Sequence, residues 1–241
     1  EVDAAVDAPD CRYQCSLDGR SVIEACTGTV VETCRPELAC GAGVCQDPCA
    51  AAAADKSSNG CEFHFQMPRF TAEHPHSCYA SYIVNVSLLP VDIALELEGQ
   101  PLDVSKSMFR TNPGDPTLIP HEGPVPPGES VILFVSVRDP NVPRTPAESH
   151  SFVPCPEGVV PATFAEGLPS GTGIGTSYRL TTKAPVGVST VYPFGGAASF
   201  IPSATLLFPV ATWSKQHIIV NGWEVGPGGR PAAQIIASEE D

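Results

Sequence analysis

The chain has 241 residues, a net charge of −14, and 47 prolines and glycines against only 17% charged residues. Its apolar fraction of 42% is enough to build a core and excludes a disordered chain. So many prolines exclude a bundle of long helices, and so acidic a chain excludes nucleic acid and anionic membrane surfaces as partners.

Residues 1–10 (EVDAAVDAPD) are acidic and small and read as an exposed tether. There is no initiator Met or signal peptide at Glu1, which is read as an export signal already removed. Residues 11–61 then form a cysteine-rich module. Cys11, Cys15, Cys26, Cys34, Cys40, Cys45 and Cys49 fall within 39 residues, followed by Cys61, and then by Cys78 and Cys155 far downstream. That density in an even-numbered set predicts five disulfides and an oxidising compartment, secreted or at the cell surface. Cys15–Cys26 and Cys40–Cys45 are expected because they close short loops, and by elimination Cys78 pairs with Cys155. Zinc is the rival for Cys11, Cys15, Cys45 and Cys49, but four ligands would leave neighbouring thiols unexplained. Within the module Ser21-Val22-Ile23-Glu24 and Thr29-Val30-Val31-Glu32 read as short strands. Pro48 opens one short helix over the alanines that follow.

From residue 62 to 241 the pattern becomes period two and predicts an antiparallel β-sandwich. Tyr82, Val84, Val86 and Leu88 alternate with Ile83, Asn85 and Ser87, and Val91, Ile93, Leu95 and Leu97 alternate with Asp92, Ala94 and Glu96. In each run the apolar set is expected to face the core. Val131 to Val137 is nearly continuous and suggests a central strand. Tyr178, Leu180 and Thr182 form a further strand, Ala184-Pro185 is read as a turn, and Val186, Val188, Thr190 and Tyr192 as the next strand. Leu206-Leu207-Phe208 and His217-Ile218-Ile219-Val220 complete the set. Residues 233–237 read as a last strand with no hairpin partner after it. Residues 100–129 and 139–172 carry seven prolines each and are expected to be rigid, ordered loops that interrupt the sheet and offer a contact face. The fold class expected is therefore mainly β, a sandwich with a small N-terminal disulfide-rich module.

Four segments resemble the N-terminal region of the IgGFc-binding protein family, which has many bacterial secreted members. They are Gly60-Cys61-Glu62-Phe63, Tyr82-Ile83-Val84-Asn85-Val86-Ser87, the run from Gly171-Thr172-Gly173-Ile174-Gly175 through Tyr178-Arg179-Leu180 to Pro185-Val186-Gly187-Val188, and Ser203-Ala204-Thr205-Leu206-Leu207-Phe208-Pro209. The resemblance covers roughly residues 60–225. It implies a β-rich, secreted or cell-surface, binding or adhesive protein, and carries no catalytic residue onto this chain.

Catalytic and cofactor patterns are weak. Glu73-His74-Pro75-His76 holds two histidines around a proline, which breaks the helix that a zinc-protease motif needs, so an exposed loop is expected there. Gly171, Gly173 and Gly175 have the wrong spacing for a dinucleotide loop, and a strand follows them. Asn85-Val86-Ser87 is a glycosylation sequon whose Asn would sit in mid-strand. The reading is a protein without catalysis, cofactor or metal: a structural or adhesive subunit, such as one of a cell-surface fibre. The alternative is a secreted glycan- or protein-binding module of a longer protein. The partner expected is a second copy of the chain, or another surface protein or glycan, with no membrane insertion.

Overall fold

The computed structural model describes residues 11–69, 72–148, 150–164, 171–196, 202–218 and 233–238. The chain divides into two compact units between Ser57 and Ser58. Cys61 therefore belongs to the first strand of the second unit and not to the cysteine-rich module.

In the first unit β1 (Tyr13–Cys15), β2 (Ser21–Glu24) and β3 (Val30–Thr33) form an antiparallel sheet, and β4 (Ala39–Gly41) pairs with β5 (Val44–Gln46). The β4–β5 turn puts Ala42 and Gly43 at φ 51° and 79°, the geometry that suits a two-residue hairpin. Helix α1 (Pro48–Asp55) starts with Pro48 in its first turn, and Asp47 caps it by accepting from the backbone N–H of Cys49 and Ala50 at 2.9 and 3.2 Å. A Cβ at Gly41 would lie 2.4 Å from the Ala51 Cα, so only glycine lets the hairpin pack this close to the helix. Val22, Cys40, Pro48, Ala51 and Ala52 are the buried apolar side chains among the described residues of this unit. So small a core leaves stability to the disulfides.

The pairs in this unit are Cys11–Cys26, Cys15–Cys40 and Cys34–Cys45. The expected Cys15–Cys26 and Cys40–Cys45 bridges are corrected. The β1–β2 register sets Tyr13 opposite Glu24 and Cys15 opposite Val22, which carries Cys11 to the position facing Cys26. Cys40 and Cys45 stand directly opposite each other in the β4–β5 ladder. Opposed side chains leave one face side by side, about 5 Å apart at Cβ, wider than a disulfide spans, so each reaches a different segment. Cys49 and Cys61 are also disulfide-bonded, and no cysteine is free.

The second unit is one curled antiparallel sheet folded into a sandwich. Its strands are β6 (Asn59–Phe65), β7 (Tyr79–Asn85), β8 (Ala94–Leu97), β9 (Gln100–Leu102), β10 (Met108–Asn112), β11 (Asp115–Pro120), β12 (Ser130–Ser136), β13 (Tyr178–Tyr192) and β14 (Ser203–Leu206). The main order is β11-β10-β12-β7-β13-β8-β9, and β6 and β14 also pair with β13. The turn expected at Ala184-Pro185 is instead a register shift inside one 15-residue strand. Proline removes a ladder donor, so the strand bulges there and bends from one layer into the other. Its first half pairs with β6 and β8, and its second half with β7 and β14 and, at Val186 and Gly187, with the start of β6.

Residues 100–129 are not a loop, because β9, β10 and β11 run through them. Pro101, Pro116 and Pro120 sit in β9 and β11, the two ends of the strand order, where a missing N–H costs no ladder bond and blocks pairing with another chain. Residues 233–237 form no strand. Gln234 lies instead against the residues after β6, donating to the Met67 carbonyl at 3.0 Å and accepting from the Arg69 N–H at 3.2 Å. His217 and Ile218 are in coil, and the rest of that expected strand and residues 1–10 lie outside the described residues.

The main core lies between the layers and includes Phe63, Tyr79, Ile83, Leu95, Leu133, Leu180 and Val188. A second core lies on the other face of β7, β10 and β12, where Ala80, Phe109, Ile132 and Phe134 meet Phe152, Val159 and Phe194. β12 is thus buried on both faces, which is why its sequence is continuously apolar.

Candidate functional site

The β7 alternation is inverted relative to the expectation. Ser81, Ile83 and Asn85 are fully buried, whereas Tyr82, Val84, Val86 and Leu88 are 37 to 46% exposed. The inward position is held by Asn85, whose amide donates to the carbonyls of Leu89 and Val125, each at 2.8 Å. Its oxygen accepts from the Ser87 N–H at 2.9 Å and the Ser87 hydroxyl at 2.7 Å. A buried amide with all its bonding positions filled can face the core, and period two then sends Tyr82 and Val84 outward. The sequon asparagine is consumed by this turn and presents no amide to a glycosylating enzyme in the folded chain. The second run behaves as expected, with Val91, Ile93 and Leu95 buried.

The outer face of this layer has two ends. Register places Leu206, Ser189, Tyr82 and Ile132 in one cross-strand row, Ala204, Val191, Ala80 and Phe134 in the next, and Gly187, Val84 and Ser130 on the far side of the first. Residues 150–164 cap the Phe134 end. The cap is held by the Cys78–Cys155 disulfide, by Cys78 N–H to the Val153 carbonyl at 2.8 Å, and by Ala162 N–H to the Phe134 carbonyl at 2.9 Å. The second proline-rich segment therefore covers the sheet instead of interrupting it. At the other end Tyr82, Val84, Val86, Leu88 and Leu206 remain exposed; the small Ser189 stands between Tyr82 and Leu206, and Gly187 stands between Val84 and Asn59 of β6, whose side-chain oxygen lies 3.2 Å from where a Cβ on Gly187 would sit. The outer side of the other layer is different. There Arg179 bridges Glu62 at 2.8 Å and Glu96 at 3.4 Å. Burial pushes the Glu62 carboxyl up, but the bonds from Arg179 and His64 outweigh it and hold it below the usual range. One outer face is charged and the other apolar.

Beside the cap a cleft of about 470 Å³ is lined by Val142, Pro143, Arg144, Phe152, Val159 and Phe164. Arg144 stands 5.7 Å over the Phe152 ring. Arg138 is buried at its base and committed: it pairs with Glu148 at 2.5 Å and donates to the carbonyls of Val142 and Pro143.

The histidines expected in an exposed loop are buried. His76 lies within 3.1 Å of the Ser136 hydroxyl, and His74 stacks on His150 with ring centroids 3.9 Å apart. His150 is isolated in sequence, and only the return of the cap, with its N–H on the Glu73 carbonyl, brings it here. Burial, then the nearby Arg69 and Arg138 cations, push His76 down to about 4. Among the described residues no group of three or more His, Cys, Asp or Glu could hold a metal ion. Gly171, Gly173 and Gly175 lie in coil before β13, with no helix after them to receive a phosphate. Among the described residues no helix is long and apolar enough to cross a membrane.

Comparison with family models, with curated proteins and with solved structures finds no match to this chain.

Proposed function

We propose that the chain is a non-catalytic extracellular protein that works by contact, in a structural or adhesive role such as a subunit of a cell-surface fibre. One observation carries this reading: the β7 alternation turns Tyr82 and Val84 outward, Tyr82 in the cross-strand row of Leu206, and Val86 and Leu88 are exposed in the bend that follows. Outward positions of an antiparallel layer are ordinarily polar, and a contiguous apolar patch on a soluble chain marks a contact site. The disulfides fit an oxidising compartment, where such a surface would meet other exported molecules. The resemblance of residues 60–225 to the IgGFc-binding protein N-terminal region points the same way. Coating beads with the protein and measuring their adhesion to apolar and to glycan-coated supports tests the reading. Wild-type beads should adhere, and the Val84→Lys/Val86→Lys variant should lose most of that adhesion at an unchanged melting temperature. Equal adhesion of the two would overturn it.

The cleft between Val142, Phe152 and Phe164 favours a second reading, a module that binds a segment of another protein. Its walls are apolar and its rim carries the Arg144 guanidinium, so it suits an apolar segment with a carboxylate at one end. Under that reading Phe152→Ala removes binding and the β7 variants do not.

A further inference from the structure

We propose that the segment from Asp139 to Glu148, together with His150, is a latch that acid releases: protons on the stacked His74 and His150 lift it from the sheet end, while the Cys78–Cys155 disulfide keeps the rest of the cap in place. The proposal concerns the cap alone and stands apart from the contact reading of the outer face.

The cap is fastened at two places by different chemistry. Its far end is held by the disulfide, by Cys78 N–H on the Val153 carbonyl at 2.8 Å, and by Val153 N–H on the Ser77 hydroxyl at 3.0 Å. The Ala162 and Thr163 N–H groups add bonds to the Phe134 and Val135 carbonyls at 2.9 and 3.1 Å. No partner in these bonds titrates between about pH 4 and 8. The near end is held at histidines. His150 lies flat on His74, with ring centroids 3.9 Å apart and planes 17° apart, and its N–H donates to the Glu73 carbonyl at 3.1 Å. The Arg138 N–H donates to the His76 carbonyl at 3.2 Å.

Between these anchors the segment is bonded to itself. The Arg138 guanidinium ties Val142, Pro143 and Glu148 together, and the N–H groups of Val142 and Glu148 donate to the Asp139 and Thr145 carbonyls. It therefore carries its own hydrogen bonds with it when its docking fails.

Charge sets the direction. An ordinary imidazole is uncharged above about pH 7, where a stack of two rings is a simple packed contact. The charged groups around this one are Arg69, which donates to the His74 carbonyl at 3.0 Å, the buried Arg138, and the carboxylates of Glu73, Asp139 and Glu148. Glu148 is committed to Arg138, and Asp139 accepts from Asn141. Glu73 favours a proton on His74, but burial, and then His150, outweigh it. Protons on His74, His76 and His150 would set five cations against three carboxylates, with two imidazolium rings in contact. Lifting the segment hydrates His74 and His150 and parts their charges. The open form then binds protons more tightly than the closed one, so acid favours it.

The cleft follows the latch. Val142, Pro143 and Arg144 form one wall, and Phe152, Val159 and Phe164 form the other. It exists only while the latch is closed, whether or not it takes a partner segment.

Residue-resolved hydrogen exchange at about pH 7.5 and about pH 5, corrected for the intrinsic pH dependence of exchange, tests the proposal. The His150 and Arg138 amides should open about tenfold or more often at the lower pH, while the Cys78 and Ala162 amides keep their protection. His150→Phe retains a flat ring on His74 and takes no proton, so most of the acid response should vanish. His150→Lys places a standing cation there and should open the latch already at the higher pH. Equal protection of the wild-type His150 and Arg138 amides at both pH values would overturn the proposal. So would an undiminished acid response in His150→Phe, a closed latch in His150→Lys, or loss of the Cys78 and Ala162 protection together with that of His150.

Discussion

The amide of Asn85 decides which way a whole strand faces. Its four hydrogen bonds close the turn after β7 and require it inside. Asn85→Asp would aim a carboxylate at two carbonyl oxygens, and a loss of about 3 kcal/mol or more is expected in chemical denaturation. Ile83→Asp should likewise prevent folding, because an unpaired carboxylate enters the core. Val84→Asp, one residue on, should cost less than about 1 kcal/mol, as a surface change does. Sequence alternation alone assigns these two positions the wrong way round: both sets contain apolar residues, and only the bonding of one polar side chain separates them. The Val91 to Leu97 run was legible because Asp92 and Glu96 mark its outer face unambiguously. A different residue-scale prediction concerns pH. His76 titrates near 4 when folded, against about 6.5 when unfolded. The unfolded chain therefore binds the extra proton first. Stability should be full above about pH 6.5 and fall as pH drops toward 4, by up to about 3 kcal/mol. His74 adds in the same direction, through its burial and then its His150 neighbour. His76→Gln should flatten the slope of denaturation midpoint against pH across that window, and an unchanged slope would show that other groups carry it.

At the level of elements, β12 and the cap explain each other. Val131, Leu133 and Val135 face the main core, and Ile132 and Phe134 face the second. The cap is chemically fastened over the second core by Cys78–Cys155, which closes a separation of 77 residues. Replacing both cysteines by serine removes a constraint worth roughly 4 kcal/mol on the chain-entropy account. A lower denaturation midpoint and new binding of an apolar dye at Phe134 and Phe152 are expected, and a midpoint within error of the wild type would show that the cap holds without it. The pairing itself followed from elimination once the clustered cysteines were assigned to their own module. The path of the cap did not, because prolines signal stiffness and give no direction. For the same reason residues 100–129 looked like loop: Pro101, Pro116 and Pro120 read as breakers unless the strands are known to be edges. The long β13 was split for a related reason, since a bulge and a turn share the same Ala184-Pro185 signature.

The whole molecule joins two units whose stability has different sources. The unit before Ser58 buries few apolar residues and depends on its bridges, each typically worth about 2–4 kcal/mol. The sandwich has two apolar cores of its own. Under mild reduction, hydrogen exchange should show residues 11–57 losing protection while β12 and β13 keep theirs; simultaneous loss would mean that the units unfold as one. The composition and the cysteine count made the class, the module and the oxidising compartment readable, since they depend only on numbers of residues. The connectivity depends on register, and the contact surface on one buried amide, so neither could be counted. The central claim is that an apolar face made by β7, β13 and β14 is open on the free chain and covered in contact. Hydroxyl-radical footprinting of Tyr82, Leu88 and Leu206 tests it most directly, in dilute solution and again on the adherent protein. The account predicts strong labelling in dilute solution and protection on contact, with Leu133 and Phe134 unlabelled in both. Protection of Tyr82 and Leu206 already in the dilute chain, or equal labelling in both states, would contradict it.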